Sequence, residues 1–272
     1  MTKILIPVDF SDVAFNAFKY AFEMKGDECS YHVIHVNPRI YPTNEDMVAL
    51  SSNEWHNSLE NEVKKNLQEA LGDSPMPSKL EVEILTGAVS PMLISYVKEK
   101  SIDMVIMGTR DKYTMIDRWI GTVSFALVKN LEIPIYLIPK YARYKSFRKA
   151  LVASDYHMED SELIGVVKDW NKEHKAQLRF LHVSDGKTEE YDAIKSQLIK
   201  NLYEKDEPDF FFEVDVLHSK QITHSLLASA YNYGADLLIS LPQNRSLIHS
   251  LVFKSLSKEL IERSSIPLLF LH

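Results

Sequence analysis

The sequence offers a single cysteine, Cys29, so no disulfide can brace the chain internally, which fits a reducing compartment. No apolar run approaches the ~18 residues that a membrane-spanning helix requires. The opening MTKILIPVDFS has one basic residue and too short an apolar stretch for a secretory leader, so a cytoplasmic protein away from membranes is expected. Basic charge is in deficit: 31 Lys and Arg stand against 38 Asp and Glu, a formal charge of −7. That balance argues against general nucleic-acid binding, which needs clustered cations to displace counterions. Signatures of chemistry are equally sparse. Cys29 has no CxxC companion, no G-x-S-x-G elbow occurs, and His218 and His224 lack HxxxH spacing. Neither a protein-only metal site nor a catalytic constellation is expected.

What is present is a regular alternation of element signals. Lys3 to Asp9 is a short apolar run ending in a polar turn, the pattern of a strand buried on both faces. Ala14, Ala17, Phe18, Ala21 and Phe22 then recur at helical spacing. The strand 31-YHVIHV-36 follows, then a charged helix over 52–71, a strand over 79–85 and a helix over 90–100. The strand 103-DMVIM-107, a loop, a helix from Thr122 and the strand 134-PIYLIP-139 complete the series. Such alternation predicts parallel βαβ units with helices on both faces of each sheet.

The series then restarts. Asp103-Met-Val-Ile matches Asp236-Leu-Leu-Ile, Ser124 matches Ser257, and Ile133-Pro134 matches Ile266-Pro267, all at an offset of 133. Upstream, Lys3 to Asp9 matches Lys149 to Asp155 at 146, and His35-Val36 matches His182-Val183 at 147. The chain is a tandem duplication whose first copy carries about fourteen extra residues between its second and fourth strands. The expected domains are 1–140 and 147–272, joined by a linker in 140-KYARYKS-146. The histidines at matched strand ends, His35 and His182, read as features of the repeat rather than as metal ligands. In parallel α/β sheets ligands bind beyond the carboxyl ends of strands, where strand order reverses. The turns after Asp9 and after Met107 are therefore the places to look for a site.

The PVD that ends the first strand, the HV that ends the second, and Met-Gly-Thr-Arg followed by Gly-Thr-Val-Ser before an Ile-Pro strand resemble the universal stress protein family. The resemblance covers nearly the whole chain twice, as a tandem member. The ATP-binding branch of that family has a G-x2-G-x9-G-[S/T] loop. Here Gly108, Asp111 and Gly121-Thr122 keep the spacing, with Asp in place of the middle glycine. The resemblance implies two domains, each a five-stranded parallel sheet of order 3-2-1-4-5 with helices on both faces. It implies that an adenosine would contact Pro7, Asp9, Val36 and Met107, and that phosphates would lie on Gly108, Asp111, Gly121, Thr122, Val123 and Ser124. It also implies an internal pseudo-dimer through 134-PIYLIP-139 and 267-PLLFL-271, and it is compatible with a homodimer. The function implied is a non-enzymatic stress protein that binds ATP or another adenine nucleotide in its N-terminal domain. A ligand-free scaffold and a slow nucleotide hydrolase are the alternatives.

Elementary chemistry leaves several roles open. Asp9 suits ribose hydroxyls, yet it also suits organising the turn with Ser11. Thr122 and Ser124 can donate to a phosphate or cap the helix that follows. Asp111 repels phosphate unless Arg110, Lys112 and Arg118 neutralise it, or a Mg²⁺ or Mn²⁺ ion bridges it to phosphate oxygens; otherwise the loop has lost affinity. In the second copy Gly108, Asp111 and Gly121 become Leu241, Asn244 and Lys254, so no ATP site of the same type is expected there.

Overall fold

The computed structural model describes residues 1–38, 53–109, 122–153, 161–184, 191–204, 206–241 and 251–272. They form two compact units, Met1–Tyr144 and Lys145–His272. In the first unit the order is β1 (Lys3–Val8), α1 (Asp12–Lys25), β2 (Ser30–Asn37), α2 (Asn53–Leu71), β3 (Leu80–Thr86), α3 (Val89–Lys100), β4 (Met104–Thr109), α4 (Thr122–Asn130) and β5 (Ile135–Pro139). In the second it is β6 (Lys149–Ala153), α5 (Ser161–His174), β7 (Gln177–Ser184), α6 (Tyr191–Tyr203), β8 (Phe212–His218), α7 (Ile222–Tyr233), β9 (Leu237–Ser240), α8 (Leu251–Arg263) and β10 (Leu268–Phe270). The first unit's strands lie in the order β3-β2-β1-β4-β5, and the second unit's in the order β8-β7-β6-β9-β10. All pairings within each unit are parallel. The 3-2-1-4-5 topology is therefore present in both units.

The apolar run of β1 buries Ile4, Leu5 and Ile6 completely, as a strand covered on both faces must. Helix α1 lies on this sheet through Ala14, Ala17, Phe18 and Ala21, all buried, and its small residues permit close approach. Ser11 caps its start, the hydroxyl accepting from Ala14 N at 3.4 Å. Gly26, at φ 62°, ends it with its N–H donating to Phe22 O. Cys29 is buried at the entry to β2.

The duplication is visible in individual contacts. Asp103, just before β4, accepts from Lys3 N, while the Lys3 ammonium donates to Lys100 O. Asp236, just before β9, accepts from Arg148 N and Lys149 N, while the Lys149 ammonium donates to Tyr233 O. The outer strands repeat a second pattern. Glu81 and Glu83 on β3 correspond to Glu213 and Asp215 on β8. In the first unit buried His32 holds Nδ1 3.3 Å from Glu81, Tyr96 donates to Glu83 at 2.6 Å, and Lys100 lies 3.4 Å from Glu83. In the second, Arg179 stands where His32 does and pairs with Asp215 at 2.6 Å and Glu213 at 3.7 Å. One copy meets its acidic strand with a permanent cation, the other with a titratable ring and a lysine from the neighbouring helix.

Candidate functional site

Strand order reverses between β1 and β4, and the sequence-predicted positions gather at the carboxyl ends of these strands and of β2. Val36 and Met107 are buried, Pro7 and Gly108 are half-buried, and Asp9 is exposed. β1 pairs with β2 along its whole length, from Lys3↔Ser30 to Val8↔His35. Its pairing with β4 covers only Ile4↔Met104 and Leu5↔Val105. Pro7 has no N–H to donate and so cannot extend that ladder toward the switch point. In the second unit β6 and β9 stay paired as far as Ala153↔Ser240.

Asp9 is engaged locally. Its Oδ1 accepts from Ser11 N at 3.2 Å and from the Ser11 hydroxyl, so the carboxylate shapes the turn into α1. The turn-organising role is thus realised, and any ribose contact would add to it. Between Asp9 and Ser11, Phe10 adopts φ 61°, a left-handed backbone unusual for a bulky residue. Its ring meets His35 edge-on at 4.7 Å, and His35 Nδ1 lies 2.9 Å from Val8 O. Since Val8 O can only accept, the neutral His35 ring carries its hydrogen on Nδ1 and leaves Nε2 as an acceptor.

Gly108 has a packing reason of its own. A Cβ there would lie 2.6 Å from Val13 O and 2.9 Å from Val13 Cγ2, so the bare Cα is what lets α1 settle against β4. The sequence assigned this glycine to phosphate approach, whereas the contact seen is with the helix backbone. At the corresponding position of the second unit Leu241 is buried.

Thr122 opens α4, and Val123 and Ser124 lie in its first turn, with Ser124 buried. The N–H groups of such a turn carry the partial positive charge that attracts anions. Asp111 and Gly121, together with Arg110, Lys112 and Arg118, lie outside the described residues, as do Asp155 and Asn244. Three residues at the site escaped the sequence reading: Val13, Phe10 and His35 as a ring partner. Gly108 signalled a close approach without naming what approaches, and nothing in the sequence marked Phe10 as left-handed.

The order of parallel strands reverses between β1 and β4, with an acidic turn at the end of β1 and a helix start after β4, and in open α/β sheets such a switch point is where ligands bind. The sequence model of the universal stress protein family matches residues 1–139, and the chain belongs to that family. A universal stress protein of Methanocaldococcus jannaschii is 26% identical over 147 residues, which cover 51% of this chain and 82% of that protein. Universal stress protein G of Salmonella typhimurium is 20% identical over 138 residues, covering 50% of this chain and 96% of that one. The crystal structure of a universal stress protein from Archaeoglobus fulgidus superposes with a TM-score of 0.73 at 17% identity, over 99% of this chain and 97% of that chain. That likeness extends the fold over both units. Among the described residues no group of three or more His, Cys, Asp or Glu side chains could hold a metal, and no helix is long and apolar enough to cross a membrane.

Proposed function

We propose that the first unit binds an adenine nucleotide, with the adenosine against Pro7, Asp9, Val36 and Met107 and the phosphates directed toward Gly108 and the start of α4. The observation that carries this reading is the reversal of strand order between β1 and β4, which gathers these residues at neighbouring strand ends. The G-x2-D-x9-G-T spacing from Gly108 to Thr122 supports it, because it keeps the outer positions of a phosphate loop. Family membership favours binding in the service of a stress response rather than turnover. The second unit, with Leu241 buried where Gly108 stands in the first and Lys254 in place of Gly121, is proposed as a structural partner without a site of this kind.

Titration of the full chain with AMP, ADP and ATP, with and without Mg²⁺, tests the reading. Saturable binding at one site per chain, lost on substitution of Val36 or Met107 by a charged residue, is the expected result. Absence of saturation below about millimolar ligand, a free energy near −4 kcal/mol, sinks it and leaves the scaffold reading.

A further inference from the structure

Phe10 is the middle residue of the turn that leaves β1. The turn closes through the Asp9 side chain, whose Oδ1 accepts from the N–H and the hydroxyl of Ser11, two residues on. With φ at 61° Phe10 lies in the left-handed region, where the Cβ of an L residue crowds the following carbonyl oxygen. Glycine takes such a place without strain, whereas a bulky residue persists there only when its surroundings over-determine it.

The surroundings are aromatic, and they are tied to the same turn. The Phe10 ring meets His35 edge-on with centroids 4.7 Å apart, and Phe15 edge-on at 6.4 Å. Phe15 is buried on α1, which fixes one side of the ring. His35 is fixed by its own hydrogen bond, from Nδ1 to Val8 O at 2.9 Å, and Val8 is the residue before Asp9. A closed circuit results, running along the chain from Val8 through Asp9 to Phe10 and back from the Phe10 ring through His35 to the Val8 carbonyl. β1, β2 and α1 each contribute a member, so the left-handed residue is held from three elements.

We infer that Phe10 is a positioning residue: its ring, seated against His35 and Phe15, keeps the strained turn closed and so fixes the Asp9 carboxylate at the end of β1 before a ligand arrives. The use of that carboxylate rests on the nucleotide reading above, but the holding of the turn does not. Ser11 carries the same order onward, bonded to Asp9 and capping α1 through Ala14 N at 3.4 Å. Ordering of this kind spares a ligand the cost of immobilising the side chain it contacts. A ring that merely filled space would leave the turn closed when removed, because glycine adopts the left-handed backbone readily.

The test uses the full chain and three variants, Phe10→Gly, Phe10→Tyr and His35→Ala, read by residue-resolved amide exchange and by AMP titration. Phe10→Gly removes the ring and leaves the backbone angle allowed. In that variant the Ser11 N–H, taken relative to the intrinsic rate of each sequence, should exchange at least about fivefold faster, the equivalent of one net hydrogen bond, while the amides of β1 keep their protection. AMP binding should weaken by a similar factor. His35→Ala, which leaves the residues of the turn untouched, should also speed exchange at Ser11, and Phe10→Tyr, which keeps the ring, should behave as the parent. Unchanged exchange at Ser11 in Phe10→Gly overturns the inference, as does full AMP affinity in a variant whose turn has opened. Should the unaltered chain take up no AMP, the nucleotide reading fails, and exchange at Ser11 still decides whether Phe10 holds the turn. If Phe10→Gly does not fold, His35→Ala decides alone.

Discussion

The carboxylate of Asp103 accepts a hydrogen bond from the backbone N–H of Lys3 at 2.7 Å, and one copy later the carboxylate of Asp236 does the same for Lys149 at 3.1 Å. Each bond ties the residue before a switch-point strand to the first residue of its partner, 100 positions apart in the first unit. Replacing Asp103 by Ala should destabilise the first unit by about 1 kcal/mol, the usual net value of a hydrogen bond at an exposed position. Asp236→Ala should act likewise on the second unit alone. Denaturant unfolding with probes in each unit checks both, and a shift in the wrong unit would refute the assignment.

Gly108→Ala should cost about 2 kcal/mol or more, because its methyl group meets the main chain of Val13 rather than a flexible side-chain end. The loss should appear in the stability of the ligand-free protein. A variant as stable as the parent would mean that α1 can withdraw from β4 without penalty.

His32 should make the first unit sensitive to acid. Its burial disfavours the imidazolium, and although Glu81 and Glu83 favour it, Lys100 and Lys3 oppose it, so the native ring binds its proton less readily than the free ring with its value of 6.5. The unfolded chain therefore takes up the proton first. Stability due to His32 is complete above about pH 6.5 and declines as the pH falls through the native midpoint. His32→Gln should remove this component of the pH dependence, measured as the denaturation midpoint of the first unit between about pH 7.5 and 5.5. His32→Arg, which copies the Arg179 arrangement of the second unit, should flatten it as well. An imidazole titration by NMR with its midpoint above 6.5 would reverse the sign.

Asp111→Gly should strengthen ATP binding more than AMP binding, since repulsion between the carboxylate and the ligand grows with each phosphate. Calorimetric titration of both nucleotides against both proteins gives the answer. Weaker ATP binding in the variant would make Asp111 a partner of the ligand, through a bridging Mg²⁺ or Mn²⁺ ion.

Much of the architecture could be read from the sequence because it depends on local pattern. The apolar run of Lys3 to Val8, the helical spacing of Ala14, Ala17, Phe18 and Ala21, and the constant offset linking Asp103 to Asp236 each signal one element or one copy. The charged helix expected over 52–71 is α2, Asn53–Leu71. The site was less legible, since its meaning depends on which residues distant in sequence come to face each other. Gly108 is a glycine because of Val13, and Asp9 is held by Ser11 as the capping alternative required. The exchange of His32 for Arg179 is visible only once β3 and β8 are paired beside them.

The burial of Cys29 gives the molecule a built-in reporter. Its only sulfhydryl, 5% accessible, belongs to the first unit. A thiol-reactive dye should remain silent on the folded chain and label it at the rate at which that unit opens. Opening of the second unit by itself would add no signal. Labelling kinetics with and without nucleotide would then report, from one unmodified side chain, how firmly a ligand holds the first unit shut.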